Sequence, residues 1–197
     1  MVKVLKPKKS TPIEYILIGL GNPGLRYQET RHNVGFWFIK ELSTNWNLDL
    51  KKALFRSFRY AHYKNTALVL PFTYMNRSGL VLPYLENRYP GAQILVVTDN
   101  MDLPPGKTRF KQKIGTGGGH NGLRSIVEYQ GTDPWVLYIG VGRPPDRESV
   151  IDHVLGEPSL LEREKILSAI SKGINGFHLI IAGEFQAGMN VINSSRD

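Results

Sequence analysis

The chain has 197 residues, no cysteine, and 25 Lys and Arg against 17 Asp and Glu, which gives a formal net charge of +8. This length suits one domain with one core, and the lack of cysteine excludes a disulfide framework and a thiolate metal site. No apolar run approaches the roughly 18 residues of a membrane span, and the basic excess favours a polyanionic partner, with a solubilising surface charge as the alternative.

Apolar periodicity and glycine-rich breaks divide the chain into strands and helices. Residues 1–11 are basic and polar, so we expect a flexible arm there and a single α/β domain over 12–197. The apolar part of the N-terminal segment lacks a small-residue cleavage site, which favours a strand over a signal peptide. The absence of cysteine fits a cytoplasmic protein. In chain order the predicted elements are a strand at 13–20, a helix at 34–46, strands at 55–63 and 66–71, a helix at 76–89, strands at 92–99 and 107–113, a helix at 123–130, a strand at 135–142 and a helix at 159–176.

The first glycine loop matches a nucleotide-binding pattern only superficially. Gly19, Gly21 and Gly24 satisfy G-x-G-x-x-G. A dinucleotide site needs a helix that starts inside the motif, so that its first amides bind the pyrophosphate. Here Pro23 interrupts the motif, and the helical pattern begins only after Asn33, which we expect to be the N-cap. The pattern therefore does not predict a dinucleotide site.

Polar residues follow several of the predicted strands. They are Asn22, His32, Asn76, Asp99 and Asn121. Ligands of open α/β sheets gather at the carboxyl ends of the strands. If the strands are parallel neighbours, these five side chains converge on one site.

Four segments around these residues resemble the bacterial peptidyl-tRNA hydrolase family, in matching order and spacing. They are GLGNPGLRYQETRHNVGF, PFTYMNRSG, DNMDLPPGKTRFK and GTGGGHNGLRSI, and weaker similarity extends over about residues 13–193. The resemblance implies a single catalytic α/β domain with a mixed twisted sheet flanked by helices, without metal or cofactor. It also implies hydrolysis of the ester that joins a peptide to the terminal ribose of tRNA. We further expect a cytoplasmic monomer.

The resemblance assigns the catalytic roles to three residues. His32 matches the general base that activates a water molecule, and Asp99 matches the carboxylate beside it. An imidazole suits this task because its ordinary pKa is about 6.5, and a neighbouring carboxylate fixes its tautomer. Asn22 matches a residue that helps to distinguish peptidyl from unblocked aminoacyl ends. We expect direct attack by water, since neither Ser78 nor Ser125 lies in a nucleophile-elbow pattern.

Further residues match positions that bind the substrate. Asn76 and Asn121 are similar to residues that hold the substrate and order the water, and an amide can do so without adding charge. Tyr27 and Tyr74 match positions that contact the tRNA end, where aromatic faces stack on bases for about 1–3 kcal/mol each.

A basic segment predicts the contact with the tRNA phosphates. Alternation along Lys107, Arg109, Lys111 and Lys113 puts these cations on one face of a strand. The family resemblance assigns the phosphate contact to Arg109 and Lys111, and the alternative is a solvated edge strand whose lysines discourage aggregation. The chain departs from the family at Tyr138, where many members carry arginine, so one charge of this contact is missing unless Arg143 or Arg147 supplies it.

Two alternative functions remain at this point. A non-catalytic RNA-binding relative would keep the fold without turnover, but the complete polar set favours an enzyme. A nicotinamide enzyme would need the dinucleotide site that the glycine loop does not predict. For His120, in the second glycine loop, we expect a backbone hydrogen bond that supports the loop rather than a catalytic role.

Overall fold

The computed structural model describes residues 11–54, 56–112, 119–130, 134–144 and 150–194. The predicted arm falls almost wholly outside these ranges. The strands are β1 (Tyr15–Gly19), β2 (Lys51–Lys52), β3 (Phe58–Tyr63), β4 (Thr66–Pro71), β5 (Gln93–Asn100), β6 (Thr108–Lys111) and β7 (Trp135–Gly140). The helices are α1 (Val34–Asn45), α2 (Leu82–Arg88), α3 (Asn121–Gln130), α4 (Val150–Leu155), α5 (Leu160–Ile181) and α6 (Phe185–Asn193).

The strands form one mixed sheet in the order β2-β3-β4-β1-β5-β7-β6. The four central strands β4, β1, β5 and β7 are parallel, whereas β2, β3 and β6 add antiparallel pairs at the two edges. Helices cover both faces, so the predicted single-domain α/β fold with a mixed sheet is confirmed. No helix within the described ranges is both long and apolar enough to cross a bilayer.

Two apolar layers hold the helices on the sheet. Phe38 of α1 and Phe177 of α5 lie in the layer on one face, with Ile192 of α6. Leu85 of α2 and Ile126 of α3 lie in the layer on the other face. Alternate residues of the central strands supply both layers, which is why these strands read as continuous apolar runs in the sequence.

The predicted helix over 76–89 forms differently. A 3-10 segment occupies Met75–Val81, and α2 begins only at Leu82. Pro83 lies in the first turn of α2, where its missing N–H costs no helical hydrogen bond. The elements β2, α4 and α6 were not predicted from the sequence, because such short elements show little periodicity.

The direction of β6 corrects the expectation that Asn121 follows a strand parallel to its neighbours. Thr108 pairs with Ile139 and Lys111 with Val136, so β6 runs antiparallel to β7 and away from the carboxyl ends of the parallel strands. The loop that follows β6 therefore does not start at the edge where Asn22 and Asp99 lie. Residues 113–118, which connect this end of β6 to the segment before His120, lie outside the described residues.

The first glycines allow α1 to approach the sheet closely. A Cβ at Gly19 would lie 2.3 Å from the carbonyl oxygen of Gly35, and a Cβ at Gly21 would lie 2.6 Å from the ring of Phe36. Gly24 adopts a φ of 107°, in the region that favours glycine. These glycines therefore allow close packing and a turn. The helix α1 begins at Val34, ten residues after the last glycine of the G-x-G-x-x-G motif, so its first amides cannot bind a phosphate held by that motif.

We expect Gly35→Ala to destabilise the fold by about 1–3 kcal/mol, because overpacking against fixed backbone has no flexible neighbour to relieve it. The new Cβ would lie 2.4 Å from the Val97 carbonyl oxygen and 2.5 Å from the Leu20 nitrogen. Denaturant unfolding measures the change, with the exposed Glu41→Ala on the same helix as control. Equal stability of the two variants would contradict the close approach.

Candidate active site

His32 reaches the sheet edge through a short turn before α1. It lies in a 3-10 turn over Arg31–Asn33. The preceding loop leaves the sheet after Leu20, whose N–H donates to the Val97 carbonyl of β5 at 2.9 Å. The carboxyl ends of β1 and β5 are thereby held together, and the turn lies above the end of β5.

Arg31 anchors this turn to the C-terminal part of the chain. Its guanidinium donates to the carbonyl oxygens of His153 at 3.2 Å and Glu157 at 3.0 Å. It also forms a 2.9 Å ion pair with Glu162, which belongs to the capping box of α5. The side chain of Arg31 is nearly buried, so these bonds fix the backbone next to His32.

His32 and Asp99 form a direct hydrogen bond, although 67 positions separate them. Asp99 lies near the end of β5 and is only 3% exposed. Nδ1 of His32 lies 2.9 Å from its Oδ1. Because the carboxylate accepts, Nδ1 carries the hydrogen and Nε2 is left as the nitrogen that can take up a proton.

The two side chains shift each other's proton affinity. Burial alone lowers the pKa of His32, but the charge and hydrogen bond of Asp99 outweigh it and hold this pKa above the ordinary 6.5. Burial alone raises the pKa of Asp99, yet the charges and hydrogen bonds of His32 and His120 hold it well below its usual range. The carboxyl group is therefore ionised at neutral pH, and the imidazole binds a proton more readily than in water.

His120 is the third member of this group, which the sequence analysis only partly anticipated. Its Nδ1 accepts from the backbone N–H groups of Gly122 at 3.1 Å and Leu123 at 3.2 Å, so it supports the start of α3 through backbone bonds as expected. Its Nε2 also lies 3.0 Å from Oδ1 of Asp99 and 2.9 Å from the Thr98 hydroxyl. A ring whose Nδ1 accepts carries its hydrogen on Nε2, so His120 donates to Asp99.

The donor set also bears on metal binding. Within the described ranges, His32, Asp99 and His120 are the only group of three whose ligand atoms lie close enough for a metal ion, within 4.8 Å of one another. A histidine binds a metal through an unprotonated nitrogen. Nε2 of His120 is protonated as long as Nδ1 accepts from α3, and both nitrogens that face Asp99 are donors. With this hydrogen bonding the group is a carboxylate that accepts from two imidazoles.

Asn22 is fixed on the loop after β1 by its neighbours. Its Oδ1 accepts from the Met75 N–H at 2.8 Å, which turns the Nδ2 end of the amide into the available donor. Asn33 holds its backbone from both sides, since Oδ1 of Asn33 accepts from the Asn22 N–H and Nδ2 donates to the Asn22 carbonyl. Asn33 occupies the N-cap position of α1, but its side chain makes no capping bond. The predicted N-cap position is thus confirmed, but the side chain of Asn33 binds the Asn22 backbone instead of the first turn of α1.

Asn76 and Asn121 are exposed at the start of the 3-10 segment and of α3. Their chain neighbours Met75 and Gly122 are in contact, since a Cβ at Gly122 would lie 2.5 Å from the Met75 sulfur. Met75 in turn binds Asn22, and Gly122 binds His120. The three asparagines therefore lie on segments that are tied to one another and to Asp99.

The two tyrosines lie on the loops that flank this group. Tyr27 follows Gly24 in a 3-10 turn, and its ring and hydroxyl contact the guanidinium of Arg26. Tyr74 directly precedes Met75 and is 54% exposed. Both rings are thus accessible, although Tyr27 is partly covered.

The basic strand β6 forms one edge of the sheet, next to β7, and β2 forms the opposite edge. Arg109 and Lys111 are exposed on one face of β6, whereas Phe110 between them is buried in the core. Tyr138 pairs with Arg109 across the two strands and is nearly buried. Lys113 falls outside the described residues.

Comparison with known proteins shows that nearly the whole chain is similar to members of one family. The family model for peptidyl-tRNA hydrolase matches residues 16–197. A peptidyl-tRNA hydrolase of Thiobacillus denitrificans is 42% identical over 182 residues, which covers 91% of this chain and 90% of that protein. One from Geobacillus kaustophilus is 40% identical and covers 90% and 98%, respectively. The crystal structure of a peptidyl-tRNA hydrolase from Acinetobacter baumannii superposes with a TM-score of 0.84 at 36% identity, covering 95% of this chain and 97% of that one.

We expect Asp99→Asn to lower the pKa of His32, because the amide keeps an acceptor for Nδ1 but removes the charge that raises this pKa. NMR titration of the His32 ring measures the shift. Asp102→Asn is the matched control, since Asp102 is an exposed carboxylate that pairs with Arg143. An unchanged His32 titration in Asp99→Asn would contradict the assigned origin of the shift.

Proposed function

Since the chain belongs to the peptidyl-tRNA hydrolase family and hydrolyses the ester of peptidyl-tRNA, we propose that His32 is its general base and that the nucleophile is water. The observation that carries this proposal is the 2.9 Å hydrogen bond between Nδ1 of His32 and Asp99. It holds the tautomer whose Nε2 accepts a proton, at the end of the sheet where the asparagine-bearing loops meet.

The proposed reaction has two steps. Nε2 of His32 takes a proton from water while the water oxygen attacks the ester carbonyl carbon, which gives a tetrahedral intermediate. The intermediate then expels the ribose oxygen, which receives the proton from Nε2. The Asp99 charge stabilises the imidazolium between the two steps, and no cofactor is needed.

Asn22 acts as a neutral donor in this proposal. Met75 fixes its Oδ1, so Nδ2 is the end of the amide that meets the substrate. A positioned N–H can hold the peptide group of the substrate or the oxyanion of the intermediate. In peptidyl-tRNA the amino nitrogen of the esterified residue carries an acyl group, whose carbonyl can accept from Nδ2 of Asn22. An unblocked aminoacyl-tRNA lacks this carbonyl, so the contact favours peptidyl substrates.

The remaining predicted residues bind the tRNA end. Asn76 and Asn121 hold the substrate and order the attacking water from the two segments that meet at Met75 and Gly122. The accessible rings of Tyr27 and Tyr74 stack on the terminal bases. We place the reaction in the cytoplasm, where translation produces the substrate, and in a monomer, because one chain contributes every group used.

Arg109 and Lys111 contact the tRNA phosphates in this proposal. Both cations are exposed on the same face of β6, away from the buried Phe110. Tyr138 pairs with Arg109 and supplies no charge, so the electrostatic attraction along this strand pair depends on Arg109 and Lys111.

We expect His32→Ala to lower kcat/KM by about 10²–10⁴-fold, the usual contribution of a general base, while tRNA binding persists. The assay is release of an N-blocked amino acid from charged tRNA. His62→Ala serves as the control, because His62 is exposed on β3 and bonds to Tyr89. Full turnover in a folded His32→Ala variant would rule out His32 as the base.

We expect Lys111→Ala to weaken tRNA binding and to reduce the slope of log K against log salt by about 0.7–0.9, the value for one phosphate contact. Binding is measured with uncharged tRNA at several salt concentrations. The exposed Lys40→Ala on α1 removes the same charge on another surface and should leave the slope unchanged. Identical slopes for Lys111→Ala and wild type would show that β6 is a solvated edge without a phosphate contact.

A further inference from the structure

We propose that His120 is a positioning residue that shares one oxygen of Asp99 with His32, weakens His32 as a base, and links this base to the start of α3. The inference rests on the proposed role of His32. It assigns to His120 a function beyond the support of its own loop.

The orientation of the His120 ring is fixed from both sides. Two backbone amides at the start of α3 donate to Nδ1, from Gly122 and Leu123. Gly122 also packs closely, because a Cβ there would lie 3.1 Å from Cε1 of His120 and 2.5 Å from the Met75 sulfur. The ring therefore cannot turn without breaking the cap of α3, and Nε2–H stays directed at Asp99.

Both imidazoles converge on the same carboxylate oxygen. Oδ1 of Asp99 lies 2.9 Å from Nδ1 of His32 and 3.0 Å from Nε2 of His120. Each histidine side chain is 13% exposed and that of Asp99 only 3%, so water competes little for these bonds. The Nε2–H of His120 stabilises the Asp99 carboxylate whether His32 is neutral or protonated. The carboxylate therefore stabilises the protonated His32 ring less than it would with His32 as its single donor.

Within the described ranges, the titratable groups that contact Asp99 are the rings of His32 and His120. β7 presents Ile139 opposite Asp99, and α1 approaches β5 at Gly35. Thr98 adds an uncharged hydroxyl, which lies 2.9 Å from Nε2 of His120. The proton affinity of His32 therefore responds to the His120 hydrogen bond through Asp99.

The same contact couples the base to a substrate-binding segment. Asn121 is the first residue of α3 and directly follows His120. Movement of Asn121 changes the cap of α3, and the cap holds the ring that bonds Asp99. A substrate held by Asn121 thus also stabilises the geometry of the base.

The deciding variant is His120→Asn, because asparagine separates the two roles of this ring. Its Oδ1 takes the place of Nδ1 and caps α3, whereas Nδ2 ends one bond short of Nε2 and cannot reach Asp99. We expect the His32 ring to titrate about 0.5–1 pH unit higher, and the acid limb of kcat/KM to move up equally. The shift is opposite in sign to that of Asp99→Asn. His120→Ala, which also removes the cap, should raise KM further than His120→Asn.

His62→Asn controls for the loss of a histidine and should leave both titrations unchanged. His120→Ser, which also provides a capping oxygen, replaces His120→Asn if that variant does not fold. An unchanged or lowered His32 titration in the folded variant overturns the inference. If the His32 ring titrates higher but the acid limb of kcat/KM does not move, the shared Asp99 oxygen is supported and His32 is not the general base. The failure of this inference and the failure of the proposed function therefore give different results.

Discussion

The buried carboxylate of Asp99 is the constraint on which the site depends. An ionised group that is only 3% exposed needs hydrogen-bond donors, because burial without them would favour its neutral form. His32 and His120 supply these donors from two different segments. The carboxylate thus pulls the turn before α1 and the loop before α3 to the same point of the sheet, and it raises the proton affinity of His32 in return.

Close backbone contacts make this convergence possible. The helix α1 begins directly over the ends of β1 and β5, because Gly19 and Gly35 leave no side chain between helix and sheet. The hydrogen bond from Leu20 to Val97 then closes the two strands beneath His32. A bulkier residue at either glycine would move the turn that carries His32 away from Asp99. The packing of α1 on the sheet and the geometry of the site therefore depend on the same two glycines.

The polar loops around the pair are fixed by one another rather than by regular structure. Asn33 holds the backbone of Asn22, and Asn22 holds Met75. Arg31 connects the same turn to the capping box of α5. Each such bond is worth only about 0.5–1.5 kcal/mol, or somewhat more with a charged partner, but together they fix the donors before substrate binds.

The sequence by itself determined the α/β class, most central elements and the family motifs, because apolar periodicity and residue type are local properties of the chain. It did not determine that Asn33 holds Asn22 instead of capping α1, or that β6 runs antiparallel. It also did not reveal that His120 donates to Asp99 from 21 positions away. Only the tertiary structure decided these points, since each depends on which distant segments the packing of helices on the sheet brings together.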